Sequence, residues 1–329
     1  MSELRRLIPL PDIWDRMQRL ETRLLEASHS EDRYLTEIAQ HLLVAGGKRY
    51  RPLLALLAAE FGPARNGRAI EAGVSVELIH VGSLYHDDVI DEADTRRGAS
   101  SVNVNWTNTL AILAGDFLMA KASETAATHL TQESVRLLAT TYAELVEGQT
   151  RELQIDFDVD HDIAVYERVI YLKTASLIRT SARLGAMAAD ADDATIEALS
   201  TWAAEVGMVF QIADDALDLV ATTERLGKPA GSDIREGKFT LPVLLALNGP
   251  DGDAVGSLLR ARPYTDESIA KVIEIVRTGG FVAESLAEAR RRIAMADAAL
   301  AALPEGEARR VLSAMGEFLV SRVDRAGGT

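Results

Sequence analysis

The chain has 329 residues and a formal net charge of −15. So acidic a surface argues against direct binding to nucleic acid or to an anionic membrane. There is no cysteine, which excludes disulfides, thiolate metal sites and cysteine nucleophiles.

Hydrophobic residues make up 47% and charged residues 26%, the balance of a folded chain with a large core rather than a disordered one. Prolines number 9, with 7 phenylalanines, 7 tyrosines and 3 tryptophans, fewer than strands and turns normally use, so helix is favoured. The opening Met-Ser-Glu-Leu-Arg-Arg runs into Pro9 and Pro11 without the apolar stretch of a signal peptide. No segment reaches ~18 uncharged apolar residues, the length a bilayer span needs. The expected compartment is the cytoplasm.

Helical periods dominate from the start. Ile13, Met17, Leu20 and Leu24 recur at spacings of three and four and predict a helix over 12–28. A second helix over 30–45 has Ser30 as its cap and ends at Gly46-Gly47. Pro52 suits the first turn of a third, over 53–60. Long helical stretches follow near 67–90, 106–130, 132–156, 162–189 and 194–221, then 240–248, 266–278, 281–302 and 305–325. No alternating strand run, long linker or low-complexity tract appears. At ~150 residues per domain the length alone suggests two domains. The pattern predicts instead one all-α domain over 1–329, a helical bundle around a central cavity.

Two apolar helices end in the same acidic group. Asp87-Asp88-Val89-Ile90-Asp91 closes one, and Asp214-Asp215-Ala216-Leu217-Asp218 closes the other. Residues four apart share a helix face, so Asp87 sits with Asp91 and Asp214 with Asp218. Like charges held that way suit a cation between them. Mg²⁺ prefers one or two carboxylates completed by water and phosphate oxygens, whereas zinc would want His or Cys. A solvated acidic face is the alternative for either cluster alone. Two clusters grown from core helices favour a shared cavity with metal on both walls.

Basic residues complement them. Gly46-Gly47-Lys48-Arg49-Tyr50-Arg51-Pro52 is a glycine-and-cation loop suited to phosphate, or simply a basic helix connection. Arg96-Arg97-Gly98 follows the first cluster, and Lys173-Thr174 interrupts an apolar helix. Gln211 lies three residues before Asp214; Gly227-Lys228-Pro229 and Gly237-Lys238 follow the second cluster. His80 lies two turns before Asp87 and is either a ligand or a satisfied core histidine. The set suggests two polyanionic groups in one pocket, one held through metal and one held directly. No nucleotide-hydrolysis motif is present.

Together with Gly115-Asp116, these motifs resemble one family, the trans-isoprenyl diphosphate synthases or polyprenyl synthetases, over nearly the whole chain. The resemblance implies a single polyprenyl synthetase domain over 1–329, a homodimer and three Mg²⁺ ions. It implies that Asp87 and Asp91 bind two ions and Asp214 the third, with Asp88, Asp215 and Asp218 in support. Arg96, Lys173, Thr174, Gln211 and Lys228 resemble residues that hold the allylic diphosphate. Lys48, Arg51, His80 and Arg97 resemble those that hold isopentenyl diphosphate, with Phe210 near its hydrocarbon part. Asp87, Asp91, Asp214, Arg96 and Lys173 are the expected catalytic residues.

Product length is expected to depend on Gly82 and Ser83, five and four residues before Asp87, where short-chain members carry bulky aromatics. With both small, a product grows along this helix for ~24 Å, by the rise over about 16 residues. That length allows at least about five isoprene units, and the expected product is long, roughly heptaprenyl to decaprenyl. Such products suit a quinone side chain, menaquinone in bacteria, and must pass to a membrane although the chain reads without an anchor. Three other readings remain: a geranylgeranyl or farnesyl diphosphate synthase, a terpene cyclase, which would lack the second basic site, and a non-catalytic subunit, which would lose an aspartate cluster.

Overall fold

The fold is that of a computed structural model, which describes residues 2–64, 66–220 and 230–327. Among these residues the chain is all-α apart from one two-stranded ribbon. It divides into two compact units. One comprises Met1–Tyr142, Leu177–Ser200 and Ala302–Ala308, the other Ala143–Ser176, Thr201–Ala301 and Arg309–Thr329.

The first unit opens with α1 (Ser2–Leu7), α2 (Pro11–Ala27), α3 (Arg33–Val44) and α4 (Tyr50–Ala58). Asp32 rather than Ser30 caps α3, its carboxylate accepting from the Tyr34 N–H at 2.8 Å. The unit's axis is α5 (Arg68–Ile90), packed against α7 (Asn108–His129), α4 and α2. Ala72, Val74, Val76, Leu78 and Val81 point in different directions yet are all fully buried, so α5 is apolar on every side.

A ribbon of β1 (Thr95–Arg96) and β2 (Ala99–Ser100) separates α5 from the short α6 (Val102–Asn105). Arg97 (φ 56°) and Gly98 (φ 77°) form its reversal, the left-handed pair that a two-residue hairpin requires. Strands of two residues carry no readable alternation, so the sequence pattern does not reveal them.

The remaining helices are α8 (Gln132–Ile155), α9 (Ile163–Ile170), α10 (Ser176–Ala188), α11 (Asp193–Val220), α12 (Ser232–Arg235), α13 (Leu241–Leu247), α14 (Gly252–Arg260), α15 (Asp266–Thr278), α16 (Phe281–Leu300) and α17 (Glu307–Gly327). The stretch expected as one helix over 162–189 is α9 and α10 joined by a π-helical turn at Tyr171–Ala175. In the second unit, α13 packs on α16, α14 and α9. No helix among the described residues is long and apolar enough to cross a membrane.

Candidate active site

The first aspartate motif stands at the C-terminal end of α5, whose last turn holds no basic residue. The helix dipole disfavours anions there and favours a cation. Asp87 is half-buried and Asp91, the C-cap, is exposed. Asp88 turns inward. It is fully buried, and Arg96 Nε donates to its Oδ1 at 2.7 Å. Burial pushes the Asp88 carboxyl up, and the Arg96 guanidinium opposes that.

The hairpin aims its two arginines differently. Arg96 folds back onto Asp88, while Arg97 Nη1 donates to the carbonyls of Leu42 at 3.0 Å and Gly46 at 2.5 Å. Arg97 therefore fastens the Gly46–Pro52 loop. Arg49 fastens the same loop from inside. Its backbone is left-handed, its side chain is buried, and it donates to Leu43 O at 2.7 Å, Glu21 Oε1 at 2.8 Å and Glu77 Oε1 at 3.0 Å.

Lys48 is exposed at the tip of that loop, and Arg51 is half-buried on α4. Burial lowers the Arg51 guanidinium to about 10, with Glu77 pulling it up and Arg97 pushing it down. His80 lies among Arg49, Arg51, Arg96 and Arg97; burial and these charges hold it well below the usual imidazole value of 6.5. A neutral imidazole there offers one donor and one acceptor.

The two chain-length positions differ. Ser83 is half-buried and donates to His80 O at 2.9 Å. Gly82 is buried against α7, where an added Cβ would lie 3.0 Å from both Gly115 O and Met119 Cε. Its lack of a side chain lets α5 and α7 approach closely, a packing cause that the open-floor expectation did not include. An added Cβ at Gly115 would collide with the imidazole of His86, which itself lies 3.4 Å from Asp116. Tyr85 points away to α3, donating to Ile38 O at 2.8 Å.

The second motif, in the other unit, ends α11, again with no basic residue in the last turn. Its middle aspartate is also the one turned inward. Tyr166 Oη donates to Asp215 Oδ2 at 2.6 Å, and Gln211 Nε2 donates to Oδ1 at 2.8 Å. Thr174 Oγ1 donates to Gln211 Oε1 at 2.7 Å, which links the π-helical turn to the aspartate. Burial, then the charge of Asp233, pushes Asp215 well above the carboxylate range. Asp214 is half-buried, 3.8 Å from Arg322; Asp218 is buried and accepts from the Asp233 N–H at 3.3 Å. Phe210 is half-buried on α11.

Lys173 projects from the π-helical turn and pairs with Glu152. Glycines let both neighbouring helices approach that turn. An added Cβ at Gly148 of α8 would lie 2.8 Å from Leu172 Cβ and 3.0 Å from Lys173 N. At Gly207 of α11 it would lie 2.6 Å from Ala175 Cα. Such turns concentrate at functional sites. Lys173, Thr174, Gln211 and Asp215 line a cavity of about 220 Å³, which Glu152, Tyr166, Asp233, Glu236 and Lys238 also border. Lys228 lies outside the described residues, as does the Gly227-Lys228-Pro229 triplet.

The donor set fits a hard divalent cation. Asp88 Oδ2 is buried without a hydrogen bond, and the outer carboxylates sit at the negative ends of two helices. Among the described residues no three carboxylates or imidazoles converge to hold an ion unaided.

Sequence reasoning missed Glu77, Arg49, Tyr166 and Glu152 as parts of the site. Glu77 carried a signal, since a glutamate inside an apolar helix needs a partner. Tyr166 carried none, because its partner lies 49 residues away.

The polyprenyl synthetase family model matches residues 32–276. A nonaprenyl diphosphate synthase of Mycobacterium tuberculosis is 41% identical over 93% of this chain and 90% of its own. A heptaprenyl diphosphate synthase component 2 of Geobacillus stearothermophilus is 40% identical over 94% of this chain and 96% of its own. A solved geranylgeranyl pyrophosphate synthase of Corynebacterium glutamicum, complexed with calcium and isoprenyl diphosphate, superposes with a TM-score of 0.84 at 40% identity, covering 95% and 96% of the two chains.

Proposed function

The chain belongs to the polyprenyl synthetase family and is a prenyltransferase; from that premise we propose that it condenses isopentenyl diphosphate repeatedly with an allylic diphosphate to make an all-trans product of about seven to ten isoprene units. The observation that carries this reading is the pairing of chemistries in the first unit. Asp87 and Asp91 stand at the negative end of α5, and the guanidiniums of Arg51 and Arg97 gather near neutral His80.

Asp87, Asp91 and Asp214 would hold Mg²⁺, with three ions in all and with Asp88, Asp215 and Asp218 in support. When bound, the ions offset the charge that develops on a departing diphosphate. Arg96, Lys173, Thr174, Gln211 and Lys228 orient the allylic diphosphate. Lys48, Arg51, His80 and Arg97 hold isopentenyl diphosphate, with Phe210 against its hydrocarbon. Asp215 is anchored on Tyr166 and Gln211, and Asp88 on Arg96, so the two inner aspartates set the direction of the outer ones. No side-chain nucleophile is required, and the proton lost after each addition passes to the released diphosphate.

Ser83 leaves the level below Asp87 without an aromatic floor, which favours the long product, whereas Gly82 is closed off by its packing on α7. The nonaprenyl and heptaprenyl relatives make the same length range plausible for this chain. The geranylgeranyl enzyme at 40% identity keeps a shorter product as the second reading. We also read residues 1–329 as one catalytic domain acting as a homodimer. Ile112 (44% exposed) and Leu113 (54%) on α7 support a second copy covering that helix. A product of that length partitions into a bilayer, so the reading includes a cytoplasmic enzyme that hands it to a membrane for a quinone side chain.

The test is purified full chain with Mg²⁺, farnesyl diphosphate and labelled isopentenyl diphosphate, with the products chromatographed. Labelled prenyl products that vanish with EDTA are expected. No labelled product would overturn the reading, and a product of four units would favour the shorter-chain alternative.

A further inference from the structure

Glu77 lies in the middle of α5, ten residues before Asp87, and is 1% exposed. Its Oε1 accepts from Arg49 Nη1 at 3.0 Å and lies 3.7 Å from Arg97 Nη2. Arg51 feels the same carboxylate from α4. His80 follows one turn later on α5. One buried carboxylate thus contacts two arginines, from the loop and the hairpin, and its charge also reaches Arg51 on the next helix.

The arrangement is also mechanical. Arg97 Cζ and Arg49 Nη1 lie 3.0 and 3.3 Å from the point where Gly47 would carry a Cβ, so both guanidiniums pass directly beneath the loop. That loop bears Lys48. Arg49 is also paired with Glu21, so without Glu77 the unbalanced charge falls on Arg51 and Arg97 in a poorly solvated place.

We propose that Glu77 is a positioning residue for the diphosphate of the non-allylic substrate, holding Arg51, Arg97 and the Lys48 loop in the geometry that receives it. This rests on the reading given under Proposed function. Glu77 does not touch the substrate in this account; it acts through the arginines. Its charge offsets only part of theirs, which leaves an excess of positive charge for an incoming anion.

Two physical effects oppose each other on substitution. Glu77→Gln adds one net positive charge beside the site, which by charge alone would tighten a diphosphate. It also removes the anchor, which would loosen the diphosphate by spreading its ligands. Positioning predicts that loosening wins, so the sign of the change in affinity decides the matter.

The experiment is steady-state kinetics of full-length wild type, Glu77→Gln and Glu77→Asp, varying isopentenyl diphosphate at saturating farnesyl diphosphate, and then the reverse. The expected result is a rise in KM for isopentenyl diphosphate of about tenfold or more in Glu77→Gln, with kcat and the KM for farnesyl diphosphate changed less than about threefold. Glu77→Asp should fall between. Should Glu77→Gln fail to fold by circular dichroism, the double variant Arg49→Gln with Glu77→Gln removes both charges together and should show the same selective rise. A KM for isopentenyl diphosphate that is unchanged or lower in an active, folded variant overturns the inference alone. So does an equal loss toward both substrates, the mark of a merely structural role. A wild type that makes no prenyl product overturns the functional reading and this inference with it.

Discussion

Tyr166 Oη donates a 2.6 Å hydrogen bond to Asp215 Oδ2, and both residues are buried. Gln211 takes the other oxygen, so the middle aspartate of the second motif is fully engaged by protein. Tyr166→Phe removes one of these bonds and leaves a buried oxygen unsatisfied, at a cost of about 1–3 kcal/mol. Urea unfolding should read that loss. The KM for the allylic diphosphate should rise as Asp215 and Gln211 shift, with little change in the KM for isopentenyl diphosphate. Wild-type stability and kinetics would contradict this role for Tyr166.

Asp88 and Arg96 form the corresponding anchor in the first motif. Asp88 is fully buried and the Arg96 side chain is 32% exposed. Breaking a buried ion pair costs about 3–5 kcal/mol, and exposure of the arginine lowers that here to about 2 kcal/mol. Arg96→Met should lose that stability, and Asp88→Asn in the same chain should restore most of it, because the buried charge has gone. Turnover should stay low in both. Additive effects in the double variant would show that the pair is not coupled.

His80 gives a pH signature. Its folded pKa lies well below 6.5, while the unfolded imidazole takes a proton near 6.5. Between the two values the unfolded state binds more protons, so stability rises with pH across that window and is lost as pH falls below about 6.5. His80→Gln, which also offers a donor and an acceptor, should flatten the slope between pH 5 and 6.5, by this linkage. Denaturation midpoints over that range test it; identical slopes in the two proteins would contradict a neutral His80 in the folded chain.

Gly148 lets α8 lie against the turn that carries Lys173. Gly148→Ala overpacks this contact at a cost of about 1–3 kcal/mol. It should also raise the KM for the allylic diphosphate, because Lys173 N is among the atoms displaced. Gly306→Ala, where an added Cβ meets nothing within 4 Å, is the control. Equal allylic KM values in the two variants would contradict a fixed Lys173.

Helix periods placed most of this architecture, because apolar positions at three and four recur wherever one helix face meets a core. The aspartate motifs and the basic loop were legible because their residue types are costly in apolar surroundings without a partner or ligand. Three features were not legible, each for a physical reason. The π-helical turn at Tyr171–Ala175 packs against Gly148 and Gly207, which are distant in sequence. The hairpin at Thr95–Ser100 is too short for a pattern. The anchors of Asp88 and Asp215 depend on which way a side chain turns at a helix end, which sequence spacing does not fix. Gly82 is the instructive case. Its small size was legible, but its contact with Gly115 and Met119 was not. That leaves Ser83, half-buried and bonded to the backbone of its own helix, as the cleaner probe of product length.

The most direct measurement is therefore product chromatography of wild type beside Ser83→Phe, each with Mg²⁺, farnesyl diphosphate and labelled isopentenyl diphosphate. The wild type should give about seven to ten isoprene units, the length expected with no aromatic floor at Ser83, and Ser83→Phe a product several units shorter at similar turnover. A wild-type product that stops at geranylgeranyl, or the same length from both proteins, would contradict the account.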